Sequence, residues 1–149
     1  MRPATLLLAA LLPLTLTACG EAPDNHPDKP VTQRRAAFQK ILKAFEPMGV
    51  QMRKGPYDAK KFLEQAQALA AVKDGPWAHF GPDSNYPPTR AKAAVWSEAE
   101  RFAQERQNFL QVVDRLAVAA ESRDEKQVRP AYEAVHDSCR SCHKTFKGD

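Results

Sequence analysis

Five residues near the C-terminus constrain this chain more than any other stretch: Cys139-Arg140-Ser141-Cys142-His143. On a helix, side chains three and four positions apart share a face. Cys139, Cys142 and His143 then all point the same way. Cys-x-x-Cys-His is the spacing of covalent haem attachment of the c type. Each thiol adds to one vinyl group, and a neutral imidazole is a standard iron ligand. The other readings explain less. A zinc site needs about four ligands, and here two thiols and one adjacent His are at hand. A redox Cys-x-x-Cys expects a βαβ context, which the pattern lacks. A disulfide leaves His143 without a role.

The apolar spacing is helical throughout. Phe38, Ile41, Leu42, Phe45, Met48 and Met52 form one stripe, predicting a first helix over residues 32–53 with a kink at Pro47. Asp58 is a plausible N-cap for a second helix. Its stripe is Phe62, Leu63, Ala66, Leu69 and Ala70, and Gly75-Pro76 stops it. Residues 74–91 hold four prolines, two glycines and three aromatics. A loop this long is functional or disordered, and Trp77, Phe80 and Tyr86 argue for packing over something apolar. Ser97-Glu98-Ala99-Glu100 reads as a capping box opening a third helix. Its stripe runs through Ala99, Phe102, Ala103, Phe109, Leu110, Val113, Leu116, Ala117 and Ala120. Arg106 interrupts it and is expected at the bundle edge. Ser122-Arg123-Asp124-Glu125 reads as a second capping box. Val128, Ala131, Tyr132, Val135, Cys139, Cys142 and Phe146 then continue at helical spacing, with a bend at Pro130. The expected fold is all-α: an antiparallel four-helix bundle over residues 31–149, with the haem between helices near the C-terminal one.

Residues 1–18 carry Arg2 and then an apolar run from Leu6 to Leu16, too short to span a bilayer. This is a signal peptide, and Leu16-Thr17-Ala18-Cys19 resembles a bacterial lipobox. The resemblance implies cleavage before Cys19, acyl chains on its sulfur and a stable anchor. Gly20, rather than Asp, follows the Cys, which points to the outer membrane facing the bacterial periplasm. Residues 19–30 read as a flexible tether with His26 solvated. The net charge of +4 is spread over alternating basic and acidic residues. That is a solvated helix surface and not a nucleic-acid patch.

The last helix, carrying Cys-x-x-Cys-His at its end, resembles the cytochromes c′, the class II c-type cytochromes. Other stretches that match are Phe45-Glu46-Pro47-Met48-Gly49, Pro56-Tyr57-Asp58, Pro76-Trp77-Ala78-His79-Phe80-Gly81-Pro82, and Thr89-Arg90-Ala91-Lys92 leading to Val95-Trp96. The resemblance covers residues 31–147. It implies one haem c, bound through Cys139 and Cys142, with His143 as the iron ligand. It implies Phe38 over the opposite face, where many members have Leu. It places Arg34, with Arg35 beside it, at a haem propionate, and Thr89 and Arg90 at the haem edge. Lys147 stands where the family usually has a base, often Arg, near the proximal face. Homodimers through the first two helices are also implied.

Met48 lies ten residues after Phe38, about 15 Å along a helix at ~1.5 Å per residue, so it cannot serve the same position. Met52 is farther still. His136 is about 10 Å from His143 along the axis and cannot reach the opposite side of the same iron. His79 is the remaining rival for a sixth ligand. The expectation is a five-coordinate, high-spin iron that binds NO and CO, with NO buffering or protection in the cell envelope as its role. The alternative is electron transfer to a redox partner protein. An enzyme of the peroxidase kind would need a distal His-Arg pair, which the inferred site lacks, so no catalytic activity is expected.

Overall fold

The computed structural model describes residues 22–148. The signal segment 1–18 and Cys19 lie outside the described residues. Helices α1 (Pro30–Arg53), α2 (Ala59–Val72), α4 (Ala99–Glu121) and α5 (Glu125–Phe146) are long. A single turn, α3 (Ala94–Ser97), precedes α4. α1 lies against α2, α2 against α4, and α4 against α5. Side chains of α1 and α5 close the ring: Phe45 stacks on Tyr132 at 5.0 Å, Arg53 donates to the Tyr132 hydroxyl at 3.0 Å, and Arg129 donates to the Met52 carbonyl at 2.8 Å. The result is the expected four-helix bundle. No strand occurs among the described residues, only one antiparallel bridge between Ala91 and Lys147. No helix among them is long and apolar enough to cross a membrane.

The core follows the helical stripes. Ile41, Met48 and Met52 of α1 are buried with Phe62, Ala66 and Leu69 of α2, Phe109, Val113, Leu116 and Ala120 of α4, and Val128, Tyr132 and Val135 of α5. Full burial of one large apolar side chain stabilises by roughly 1.5–3 kcal/mol. Gly49 matters where α1 meets α5. A Cβ there would sit 2.8 Å from both the Arg53 guanidinium and the Tyr132 hydroxyl, so only glycine admits that contact.

Several residues stand elsewhere than their spacing predicts. Leu42 is 41% exposed, because it stands one position, about 100°, round from the buried Ile41. Ala99 and Ala103 also face solvent, whereas Val112, outside the expected stripe, is buried. Ser97 opens no capping box. It closes the α3 turn, and Glu98 precedes α4 without a side-chain cap. Ser122 ends α4 instead of starting α5: its hydroxyl donates to the Ala119 carbonyl at 2.7 Å, and Asp124 is the cap, accepting from the Lys126 amide at 3.0 Å. α1 and α5 run unbroken through Pro47 and Pro130.

The described part of the expected tether is ordered against the bundle. α1 begins behind Lys29, which has φ of 44° and no side-chain cap, with Pro30 at the first helical position. The carboxylate that serves this helix start is Asp24. It is buried and accepts from the Thr32 amide at 2.8 Å and from the Tyr86 hydroxyl at 2.5 Å. A carboxylate satisfies free amides and complements the helix dipole there. His26, expected to be merely solvated, stacks on the Tyr86 ring at 5.8 Å. Burial alone would raise the Asp24 pKa, but the Tyr86, Thr32 and His26 hydrogen bonds hold it at about 2.

Candidate haem-attachment site

The C-terminal half of α5 carries Cys139, Cys142 and His143. Both thiols are free and half-buried, and Cys139 packs against the core. Burial pushes both up to about 11, with Glu105 and then Cys139 adding to the rise at Cys142. They are therefore neutral thiols at physiological pH, close enough to feel each other. His143 is shifted down, first by burial and then by the Lys147 charge. Its neutral form, the one that binds iron, is thereby favoured. Lys147 thus stands close enough to His143 for its charge to act there. Among the described residues no three His, Cys, Asp or Glu side chains gather as a metal-binding cluster.

Facing α5 is a continuous set of rings. Phe102 of α4 lies 5.2 Å from Phe146 and 4.9 Å from Phe80. Trp77 lies 6.2 Å from Phe102 and 5.8 Å from Phe109. Phe38 of α1 completes the set, edge-on to Trp77 at 5.7 Å and to Phe80 at 6.3 Å. Phe38, Trp77, Phe80 and Phe102 are only half-buried. The loop is anchored through its indoles, with Trp77 Nε1 donating to the Lys73 carbonyl at 2.8 Å and Trp96 Nε1 to the Gly81 carbonyl at 2.9 Å.

Arg34 is the polar centre of this end of the bundle. It is 4% exposed. Its guanidinium donates to the His79 carbonyl at 2.9 Å, the Ser84 hydroxyl at 3.3 Å, the Ser84 carbonyl at 3.4 Å and the Thr89 hydroxyl at 2.7 Å. It also lies 4.3 Å from the Phe80 ring centre, within cation–π range. Burial shifts its pKa down. The structure thus uses Arg34 to pin residues 79–89 onto α1. Thr89 passes the bond on, accepting from the Ala91 amide at 3.0 Å. Arg35 donates to the Pro88 carbonyl. Arg90 is exposed, and its carbonyl accepts from the Gly148 amide at 2.7 Å. The buried Ser84, and the seam between residues 90–92 and 146–148, carried no signal in the sequence.

Two half-buried, neutral thiols and an imidazole on one helical face, beside a set of half-buried rings, fit haem c in donor chemistry. A helical bundle with this site defines a c-type haem protein outside the small cytochromes with an N-terminal motif. The comparisons are specific. Residues 29–147 match the family model described as cytochrome C′. Cytochrome c′ from Alcaligenes xylosoxydans xylosoxydans is 30% identical over 122 residues, 81% of this chain and 94% of that one. The Rubrivivax gelatinosus protein is 31% identical over 123 residues, 81% and 95%. Among solved structures, cytochrome c prime from Shewanella frigidimarina superposes with a TM-score of 0.79 at 32% identity, covering 84% of this chain and 98% of that one. A ferrous variant of the Alcaligenes xylosoxidans protein with bound NO has a TM-score of 0.77 at 29% identity, covering 84% and 98%. The chain belongs to the cytochrome c′ family, and its cofactor is covalently attached haem c.

Proposed function

We propose that the chain binds small uncharged gases, NO and CO, at a haem iron held by His143 alone among its side chains. One observation carries this reading. Met48 and Met52, the two sulfurs on α1, are buried in the core beside Tyr132 and Arg129, near the N-terminal end of α5, so neither competes for a position opposite His143 near the other end. At the level of the pinned loop, α1 presents Phe38, whose ring has no lone pair to give. Relatives give the reading chemical precedent: variants of the Alcaligenes xylosoxidans protein are known with NO and with CO bound. When bound, haem supplies the coordination site for the diatomic. The residues do the rest: Cys139 and Cys142 fix the haem edge, His143 supplies a neutral imidazole, and the ring set excludes water and offers no hydrogen bond for dioxygen.

The protein acts as a gas binder and not as an enzyme, in NO buffering or protection. It is exported to the periplasm and held at the outer membrane through acyl chains on Cys19. Its α1–α2 face pairs two copies. Leu42, Pro47, Val50 and Pro56 line an open groove of about 900 Å³ there, with Val50 56% exposed. Electron transfer is a second role, favoured by the exposed cations Arg90, Lys92, Arg140, Lys144 and Lys147 near His143, which suit an acidic redox partner.

Stopped-flow CO binding to wild type and Phe38→Ala tests the gas reading. Association should be faster in the variant, because a packed ring must move aside in the wild type. Equal rates would make Phe38 only a packing residue.

A further inference from the structure

The packing of α4 on α5 has a clear register. Arg101 reaches the Thr145 hydroxyl at 3.3 Å, Phe102 meets Phe146, and Glu105 accepts from the Ser141 hydroxyl at 2.9 Å. Arg106, next to Glu105, is therefore level with the turn that carries Cys142. It stands one turn from Phe102 and one from Phe109, on the helix face that bears the ring set. The sequence places it at the bundle edge. It is half-buried there, and its Nε is fully buried without a hydrogen-bond partner among the described residues. A buried guanidinium N–H left unmet is costly, and native structures almost always satisfy such groups. The neighbouring carboxylate, Glu105, faces Ser141. What fits Arg106 is an anion supplied from outside the chain.

Haem c brings two such anions, its propionate carboxylates. The cation that the family resemblance assigns to them, Arg34, already makes four hydrogen bonds to the loop. We propose that Arg106 is a haem-carboxylate contact of this protein: its buried Nε–H donates to a propionate and its charge offsets the anion. Arg34 holds the loop whether or not it also meets a propionate. The inference rests on haem binding, not on which gas the haem takes.

A half-buried cation beside the haem favours the ferrous form, which carries one more electron. Spectroelectrochemical titration of the holoprotein reads this directly. R106Q should raise the ferric-to-ferrous ratio at fixed potential about tenfold, which is ~59 mV for a one-electron couple. It should also shift the propionate-bending band in resonance Raman spectra. R106K supplies a second route if R106Q does not mature. It keeps the charge but lacks the Nε–H, so the midpoint should hold while the propionate band moves. An unchanged midpoint and band in R106Q would show that water meets the Nε, and an unchanged band in R106K would overturn the contact on its own. A propionate band that moves in R34Q and not in R106Q would return the role to Arg34.

Discussion

The two ends of the bundle are built on different principles. Away from the haem site, Met48, Phe62, Leu116 and Val128 are completely buried, and the α1–α5 contact is sealed by Phe45, Arg53 and Arg129 against Tyr132 and Met52. That end fills its own interior. At the site end, Phe38, Trp77, Phe80, Phe102 and both thiols are half-buried. Order there comes from hydrogen bonds, with Arg34 clamping the loop and Asp24 clamping α1 to Tyr86. Close packing makes a rigid frame. A polar clamp can hold rings in place without their touching on every side. The difference shows which end was shaped for a group that the chain does not itself contain.

The comparison breaks most completely at the thiols. Replacing Cys139 and Cys142 together by Ala should abolish covalent haem, read as loss of haem staining after denaturing electrophoresis, while the other end should still support a helical fold. Haem that survives acid-acetone extraction in that double variant would contradict the site.

Next in size is the packed end. Leu116→Ala removes a fully buried side chain and should cost about 2–5 kcal/mol in denaturant melts of the holoprotein. Phe102→Ala removes a ring that is only half-buried and should cost less. The reverse order would mean that the site end carries the core.

Arg34→Met tests the clamp. It deprives the His79 carbonyl, Ser84 and Thr89 of their donor, at roughly 1–3 kcal/mol for each acceptor that water cannot reach. Hydrogen exchange should accelerate over residues 79–91 and leave α2 unchanged. Uniform acceleration would deny that the loop is a separate unit.

The smallest effect concerns pH. The Asp24 carboxyl is held at about 2, below its ordinary 3.8. A depressed carboxyl stabilises the fold above its unfolded pKa, and that stability is lost as pH falls through the folded one. Thermal melts should therefore weaken between pH 4 and 2, and Asp24→Asn should flatten that part of the profile. An identical profile in the variant would remove Asp24 from the clamp.

Much of this was legible in the sequence. Helical spacing located the four long helices, because burial of one stripe per helix is what stabilises them. Cys139, Cys142 and His143 announced themselves through local spacing on a single helix. The polar clamp did not. Arg34 meets Ser84 and Thr89 across fifty residues or more, and Asp24 meets Tyr86 across sixty-two. No periodicity encodes such pairs. The capping boxes failed for a local reason: Ser97 and Ser122 sit at helix ends, where Ser serves a C-terminus as readily as an N-terminus. Arg106 stands at the bundle edge as expected, but its buried Nε carried no signal, because a lone charge in an apolar stripe looks the same whether it turns outward or inward.

We propose His143 as the only strong protein ligand at a site framed by rings. The electron paramagnetic resonance spectrum of the ferric holoprotein at neutral pH tests it most directly. A high-spin signal with its main feature at low field is expected. A six-coordinate low-spin spectrum that reverts to high spin on replacing His79 would contradict it, placing a second imidazole where the account has only Phe38.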